Sequence, residues 1–370
     1  MVPGMAATEE TQVGLPDPWR YGRGGSHPLL DLAVGDGAES ALVEALRERL
    51  DRRADAEVYE ALDLAPDRLT YTRLWQGLCA AAEGREGSGD TVVTEIFALP
   101  VVIVTGARRA GRLPGVLRDV DAVGSVLQRA GALGASRSFG FSNALASLAT
   151  LERLPPSTVR EWQRGAAPLA APRAIAPEPV DVRPGEEAHL RFLLGAAVSP
   201  ATAPSVAETA AHVGAWGMAL ARELRAQLAG PEIDVLPLAR PPAGILRAAY
   251  RGRRAQLDVA LNLFLSNTVR RIRTITGDPV AILSAHSLEA GAGELRISLG
   301  SPFDEGLTEG FRLPLHPLDD PARVSAELEA LLEACRVTDI RRVRRLLPDD
   351  IGGGARFPGA KFVAALDRPG

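Results

Sequence analysis

The segment 131–143 gathers the residue types that hold an anion. Arg137 offers a delocalised cation, Ser138 and Ser142 offer hydroxyls, Asn143 offers an amide, and Gly131, Gly134 and Gly140 leave backbone N–H groups approachable. If a helix starts just after Phe141, its N-terminus adds unpaired donors. Arg137, Ser138, Ser142 and Asn143 would then cradle a phosphate- or carboxylate-bearing ligand. The competing reading is structural. The glycines end one helix, a serine caps the next, and Phe139 and Phe141 enter the core.

Other constellations each lack a part. His286 stands between Ser284 and Ser287 near a strand end. A Ser/His/acid set can be drawn from it, but no G-x-S-x-G turn exists to present the nucleophile. Glu208 and His212 have the i, i+4 spacing of helical metal ligands. Glu208, however, completes an S-x-x-E capping box with Ser205, and no third ligand lies nearby. The run Val102-Ile103-Val104 enters a glycine loop through Gly106 and Gly111. Arg112-Leu113 follows where a phosphate loop needs Lys and Ser/Thr, the G-x-G-x-x-G spacing is missing, and Pro114 delays the next helix.

Lys361 is the only lysine, which removes a phosphate-loop lysine and a buried Schiff-base amine from the rest of the chain. Cys79 shares a helical face with Tyr71, Trp75 and Leu78 and reads as core; Cys335 is far away, and neither has CxxC or Cys/His neighbours. His316 lies between Pro314 and Pro317 in a rigid turn. No metal site and no cofactor are expected. Arginines cluster at Arg251/Arg253/Arg254, Arg270/Arg271/Arg273 and Arg341/Arg342/Arg344/Arg345. The net charge of -4 disfavours nucleic acid, so these read as solvated, salt-bridged faces. Ser142-Asn143 and Ser266-Asn267 echo each other and raise the idea of an internal duplication.

The elements that would position these residues follow from periodicity. Residues 38–83 read as helical, with Leu42, Leu46 and Leu50 on one stripe and Asp67 as a cap. Residues 91–105 are β-rich. A helix carries Val116, Val120, Val123 and Leu127, a short one spans 141–153, and Pro155-Pro156-Ser157 starts another with Val159 and Trp162. Beyond residue 185 the order is strand, helix, strand, a long helix through Leu257, Leu261, Phe264, Thr268, Ile272 and Ile275, then strands at 280–283, 295–299 and 311–313. A helix follows Asp320-Pro321, and Ile340, Val343 and Leu347 suggest a last one.

The expected fold is α/β or α+β, with a helix-rich N-terminal half containing a short strand pair and a C-terminal half of helices on a mixed sheet. The expected organisation is a tail at 1–30, a mostly helical α/β domain at 31–165, a Pro/Ala-rich linker at 166–185, an α/β domain at 186–350 and a tail at 351–370. The first thirty residues lack the basic start and apolar stretch of a signal peptide, and no apolar run is long enough for a membrane span. The expected protein is therefore cytoplasmic. Its expected role is a non-enzymatic assembly, adaptor or scaffold component that contacts a protein partner or itself, away from membrane and nucleic acid. The alternative is an enzyme or binding protein for a small anionic ligand at 131–143.

Overall fold

The computed structural model describes residues 15, 18, 25–35, 39–87, 92–106, 111–113, 115–165, 167–184, 187–228, 233–288, 292–301, 303, 307–343 and 346–348. Helices α1 (Pro28–Val34), α2 (Glu39–Asp51), α3 (Asp55–Asp63) and α4 (Arg68–Glu83) come first. Leu42, Leu46 and Leu50 bury one stripe of α2. The Asp67 carboxylate caps α4 by accepting from the Thr70 N–H at 2.8 Å. Gly77 lets α2 come close, since a Cβ there would lie 3.0 Å from Leu46 Cδ1.

Strands and helices then alternate: β1 (Glu86–Gly87), β2 (Val92–Thr105), β3 (Gly111–Leu113), α5 (Val120–Arg129), β4 (Ser138–Ser147), α6 (Leu148–Arg153) and α7 (Pro156–Arg164). A 3-10 turn covers Pro168–Ala174 before β5 (Val180–Val182), β6 (Glu187–Pro200), α8 (Val206–Thr209), α9 (Val213–Leu228), β7 (Ile233–Pro237) and α10 (Ile245–Ile275). The chain continues through β8 (Val280–Ser287), β9 (Gly293–Gly300), β10 (Thr308–Pro314), α11 (Pro321–Ala334), β11 (Asp339–Arg342) and β12 (Leu347–Pro348). The fold is thus mixed helix and strand, as the sequence implied. Among the described residues no helix is long and apolar enough to cross a membrane.

Two compact units result. The first holds Ser26–Leu62 and Arg73–Gln256; the second holds Met1–Gly25, Asp63–Thr72 and Leu257–Gly370. The first is built on an antiparallel sheet in the order β1-β2-β6-β4, with β7 also on β2. Phe97, Leu99, Val101 and Ile103 of β2 face Trp216, Leu220 and Leu224 of α9 and Val123 and Leu127 of α5. Ile96 and Ala98 lie on the opposite face with Leu151, Val159 and Ile245. Alternation along each strand thus feeds two helical layers. Pro100 is tolerated inside this sheet for a geometric reason. Ala98 exchanges both backbone bonds with Ala243 on the side away from β6. Two residues on, the Pro100 nitrogen faces that same side, between the Ala243 bridge and β7.

The segment 166–185, expected to link two domains, lies inside the first unit. Strands β2 and β6 lie on either side of it in sequence and pair from Val92↔Pro200 to Thr105↔Glu187. Pro172 is buried, and the Leu169 carbonyl sits where a Gly140 side chain would begin. Prolines here fix a packed turn.

Two further expectations are corrected. Residues 141–147 are strand: β4 pairs with β6 from Ser138↔Val198 to Ser147↔Arg191, and only 148–153 is helical. Residues 339–342 and 347–348 are also strand, because β11 and β12 add in parallel to β8. In both places pairing with a buried neighbour overrides the local spacing.

The second unit carries a mixed sheet in the order β10-β9-β8-β11, with β12 also on β8. Ala281, Leu283, Ala285, Leu295, Ile297 and Leu299 form its apolar face, against Leu261, Leu265 and Ile272 of α10 and Val324, Leu328 and Leu332 of α11.

Candidate functional site: a polar strand face in the second unit

The second unit's sheet buries its other face too, and there, beyond the apolar cluster of Ile282, Val343 and Leu347, a set of polar side chains gathers. Period two places Ser284 and His286 of β8 and Glu294, Arg296 and Ser298 of β9 together, because Ser284 pairs with Arg296 and His286 with Glu294. Ser284 is 1% exposed, His286 0%, Glu294 5% and Arg296 0%. Ser284 Oγ lies 2.9 Å from His286 Nε2. Arg296 Nε donates to Glu294 Oε1, forming a buried ion pair along one strand. The Ser298 and Ser287 hydroxyls are buried without a hydrogen-bond partner among the described residues.

This is the nearest approach to catalytic geometry among the described residues. A serine touches an imidazole, and a carboxylate sits opposite that imidazole in register. Two features set it apart from a working nucleophile. The carboxylate that would orient His286 accepts from Arg296, and the Ser284 hydroxyl has almost no access to solvent. The arrangement satisfies polar groups inside a sheet, where leaving any one unmatched is costly. Sequence reasoning paired Ser284 with His286 but missed Glu294 and Arg296. The signal was present, as polar residues at period two on both strands of one hairpin.

The four residues expected to hold an anion are not brought to one point. The Arg137 N–H donates to the Val198 carbonyl at 2.8 Å while its side chain is exposed. Ser138 opens β4 opposite Val198. The Ser142 side chain is fully buried at a register shift between Phe141 and Leu145. Its hydroxyl donates to the Ala144 carbonyl at 2.7 Å and accepts from the Leu194 N–H at 3.2 Å, stitching the bulge to β6. Asn143 is exposed, and its carbonyl accepts from the Leu117 N–H at 2.8 Å. No helix begins at this point, so no helix N-terminus faces these groups. Arg137 precedes the first residue of β4, and Asn143 lies within the bulge.

The remaining candidates are placed as follows. Glu208 and His212 do not share a helix, because α8 ends at Thr209 and α9 starts at Val213; Glu208 completes the capping box with Ser205. Cys79 is buried, and burial pushes its thiol pKa up, away from thiolate chemistry. Arg253 pairs with Glu152, Arg271 with Glu309, Arg341 with Asp339 and Arg342 with Glu329. Residues 107–110, 114, 344, 345 and 361 lie outside the described residues. Ser142 is in a strand and Ser266 in a helix, which removes the basis for a duplication. Among the described residues no three His, Cys, Asp or Glu side chains group as a metal site.

A second buried titratable group escaped the sequence reading. Glu83, at the end of α4, sits in the first unit against the start of α10. Its Oε1 accepts from the Leu246 N–H, and its Oε2 lies 3.7 Å from Arg247 Nη1. Burial drives its pKa up to about 7, against the lowering effects of Arg247, the Leu246 and Arg247 N–H groups and Arg251. Gly244 makes room for it, since a Cβ there would collide with the Glu83 carboxylate. No protein-family model, curated protein or solved structure matches the chain.

Proposed function

We propose that this chain is a non-enzymatic assembly or adaptor protein of the cytoplasm. The observation that supports this reading is the fate of its chemically capable groups. Ser284 and His286 touch each other but are 1% and 0% exposed, and Glu294 is bound to Arg296. Both cysteines, Cys79 and Cys335, are free thiols, in keeping with a reducing compartment. Against the small-ligand alternative, the Ser142 hydroxyl is already engaged by Ala144 and Leu194.

A fluorophosphonate probe tests the reading. The native protein should show no adduct on Ser284 by peptide mass spectrometry. Stoichiometric labelling of Ser284 that disappears in His286→Asn would establish an activated nucleophile and overturn the proposal. Cross-linking in the producing cells should recover a recurrent protein neighbour or a second copy of this chain.

A further inference from the structure

We infer that the outer face of α10 in the second unit is a docking site for an acidic segment of a partner protein; this rests on the adaptor reading. At 3.6 residues per turn, Val259, Leu263, Ser266, Arg270, Arg273 and Thr274 fall within roughly 100° of arc on one side of the helix. The stripe changes character along its length. Val259 and Leu263 are 44% and 60% exposed, an apolar pair where a surface helix usually carries polar residues. The following turns carry Ser266, Arg270 and Arg273. The stripe spans about 22 Å at helical rise.

Its basic end opens into a groove of about 500 Å³ between α10 and the end of α11. Arg270, Arg273 and Arg336 line the groove and no carboxylate does. Among the described residues, Arg270 Nη2 reaches only the neutral Asn267 Oδ1, at 3.4 Å. Arg273 Nη2 donates to the Arg336 carbonyl at 2.6 Å, and its Nε is 3.4 Å from Asp278, whose side chain is 84% exposed. On the other side of the same helix Arg271 is paired with Glu309. The groove therefore presents guanidinium charge that its own walls do not neutralise. Arg336 also has φ 60°, a backbone state that favours glycine, at the end of α11.

Charge complementarity sets the occupant. A partner segment with a cluster of carboxylates satisfies Arg270 and Arg336, because guanidinium and carboxylate pair through two parallel bonds. One or two apolar side chains lying about 10 Å from that cluster cover Leu263 and Val259, since Leu263 and Arg270 are seven residues apart on the helix. A free phosphate would use the arginines and leave the apolar half of the stripe uncovered.

The test is a display library of random 12-residue peptides selected on the full chain, then on a double variant with Arg270→Glu and Arg336→Gly. Both side chains are exposed, and glycine relieves the backbone at position 336, so the variant keeps its fold. The expected result is enrichment of peptides that combine an Asp/Glu cluster with apolar residues. Their fluorescence anisotropy affinity should fall at least tenfold in the double variant and several-fold in Leu263→Ser. Selected peptides with no acidic enrichment, or with equal affinity for the double variant, would overturn the inference. So would pyrophosphate raising the melting temperature through the same arginines while no acidic peptide is selected. Labelling of Ser284 by the fluorophosphonate bears on the adaptor reading alone, so the two failures are distinguishable.

Discussion

Replacing Glu83 with glutamine should make the protein more stable at pH 8 and leave it nearly unchanged at pH 4.5. Two effects compete at this carboxylate. The N-terminus of α10 and Arg247 favour the ionised form, through N–H donors from Leu246 and Arg247 and a cation 3.7 Å away. Burial of a side chain that is 1% exposed opposes ionisation. Burial wins, moving the pKa from an ordinary 4.5 to about 7. Between those values the folded chain keeps a proton that the unfolded chain has released, so stability falls as pH rises through the window. A displacement of this size corresponds to on the order of 3 kcal/mol at about 1.36 kcal/mol per unit. Glutamine mimics the protonated acid and still accepts from Leu246, so it removes the loss. The assay is the urea midpoint of both proteins from pH 4.5 to 8. The advantage of Glu83→Gln should grow by about 3 kcal/mol across that range, with the slope in urea unchanged. Parallel curves would mean that Glu83 titrates normally. A growing advantage for wild type would mean that the helix terminus and Arg247 outweigh burial. Either result refutes the reasoning.

Arg296→Met should cost about 3–5 kcal/mol, because it strands Glu294 as a buried charge. The double variant Glu294→Leu/Arg296→Met should recover most of that in thermal melts. Proteolytic nicking inside 166–185 should leave two fragments that co-elute on gel filtration under native conditions. The paired strands β2 and β6 stay joined along 14 residues whichever bond in the segment is cut.

Local signals were legible where one element could be read from its own residues. The Ser205–Glu208 box, the Asp320 cap of α11 and the strands β8 and β9 stand where spacing put them, and the α10 stripe does so from Leu257 to Ile272 while Ile275 is exposed. The failures share one cause. Ala144, Leu145 and Ala146 have helical preference, and Phe141 and Leu145 have helical spacing, yet β6 captures them as a strand. Ile340 and Val343 yield in the same way to β8. The partner strand that decides each case is about forty-five to sixty residues away in sequence, and nothing in a local window contains it. The helix whose N-terminus was expected beside Ser142 and Asn143 was lost in the same way. The buried polar face was half legible, since Ser284 and His286 adjoin in sequence while Glu294 and Arg296 join them only through the hairpin register.

The way the two units share one chain also orders their birth on the ribosome. Everything needed for the first unit has been synthesised once Gln256 emerges, whereas Asp63–Thr72 must wait for Leu257 and all that follows. The boundary falls inside α4 and inside α10, so a nascent chain holds the C-terminal part of α4 in a finished unit while the N-terminal part still lacks its own. No single cut of the gene yields the second unit by itself. A fragment ending at Gln256 carries the whole first unit together with Met1–Gly25 and Asp63–Thr72 of the second, and one starting at Leu257 would lack both of those segments. Deletion mapping of this protein would therefore attribute losses of second-unit behaviour to the N-terminal quarter of the gene.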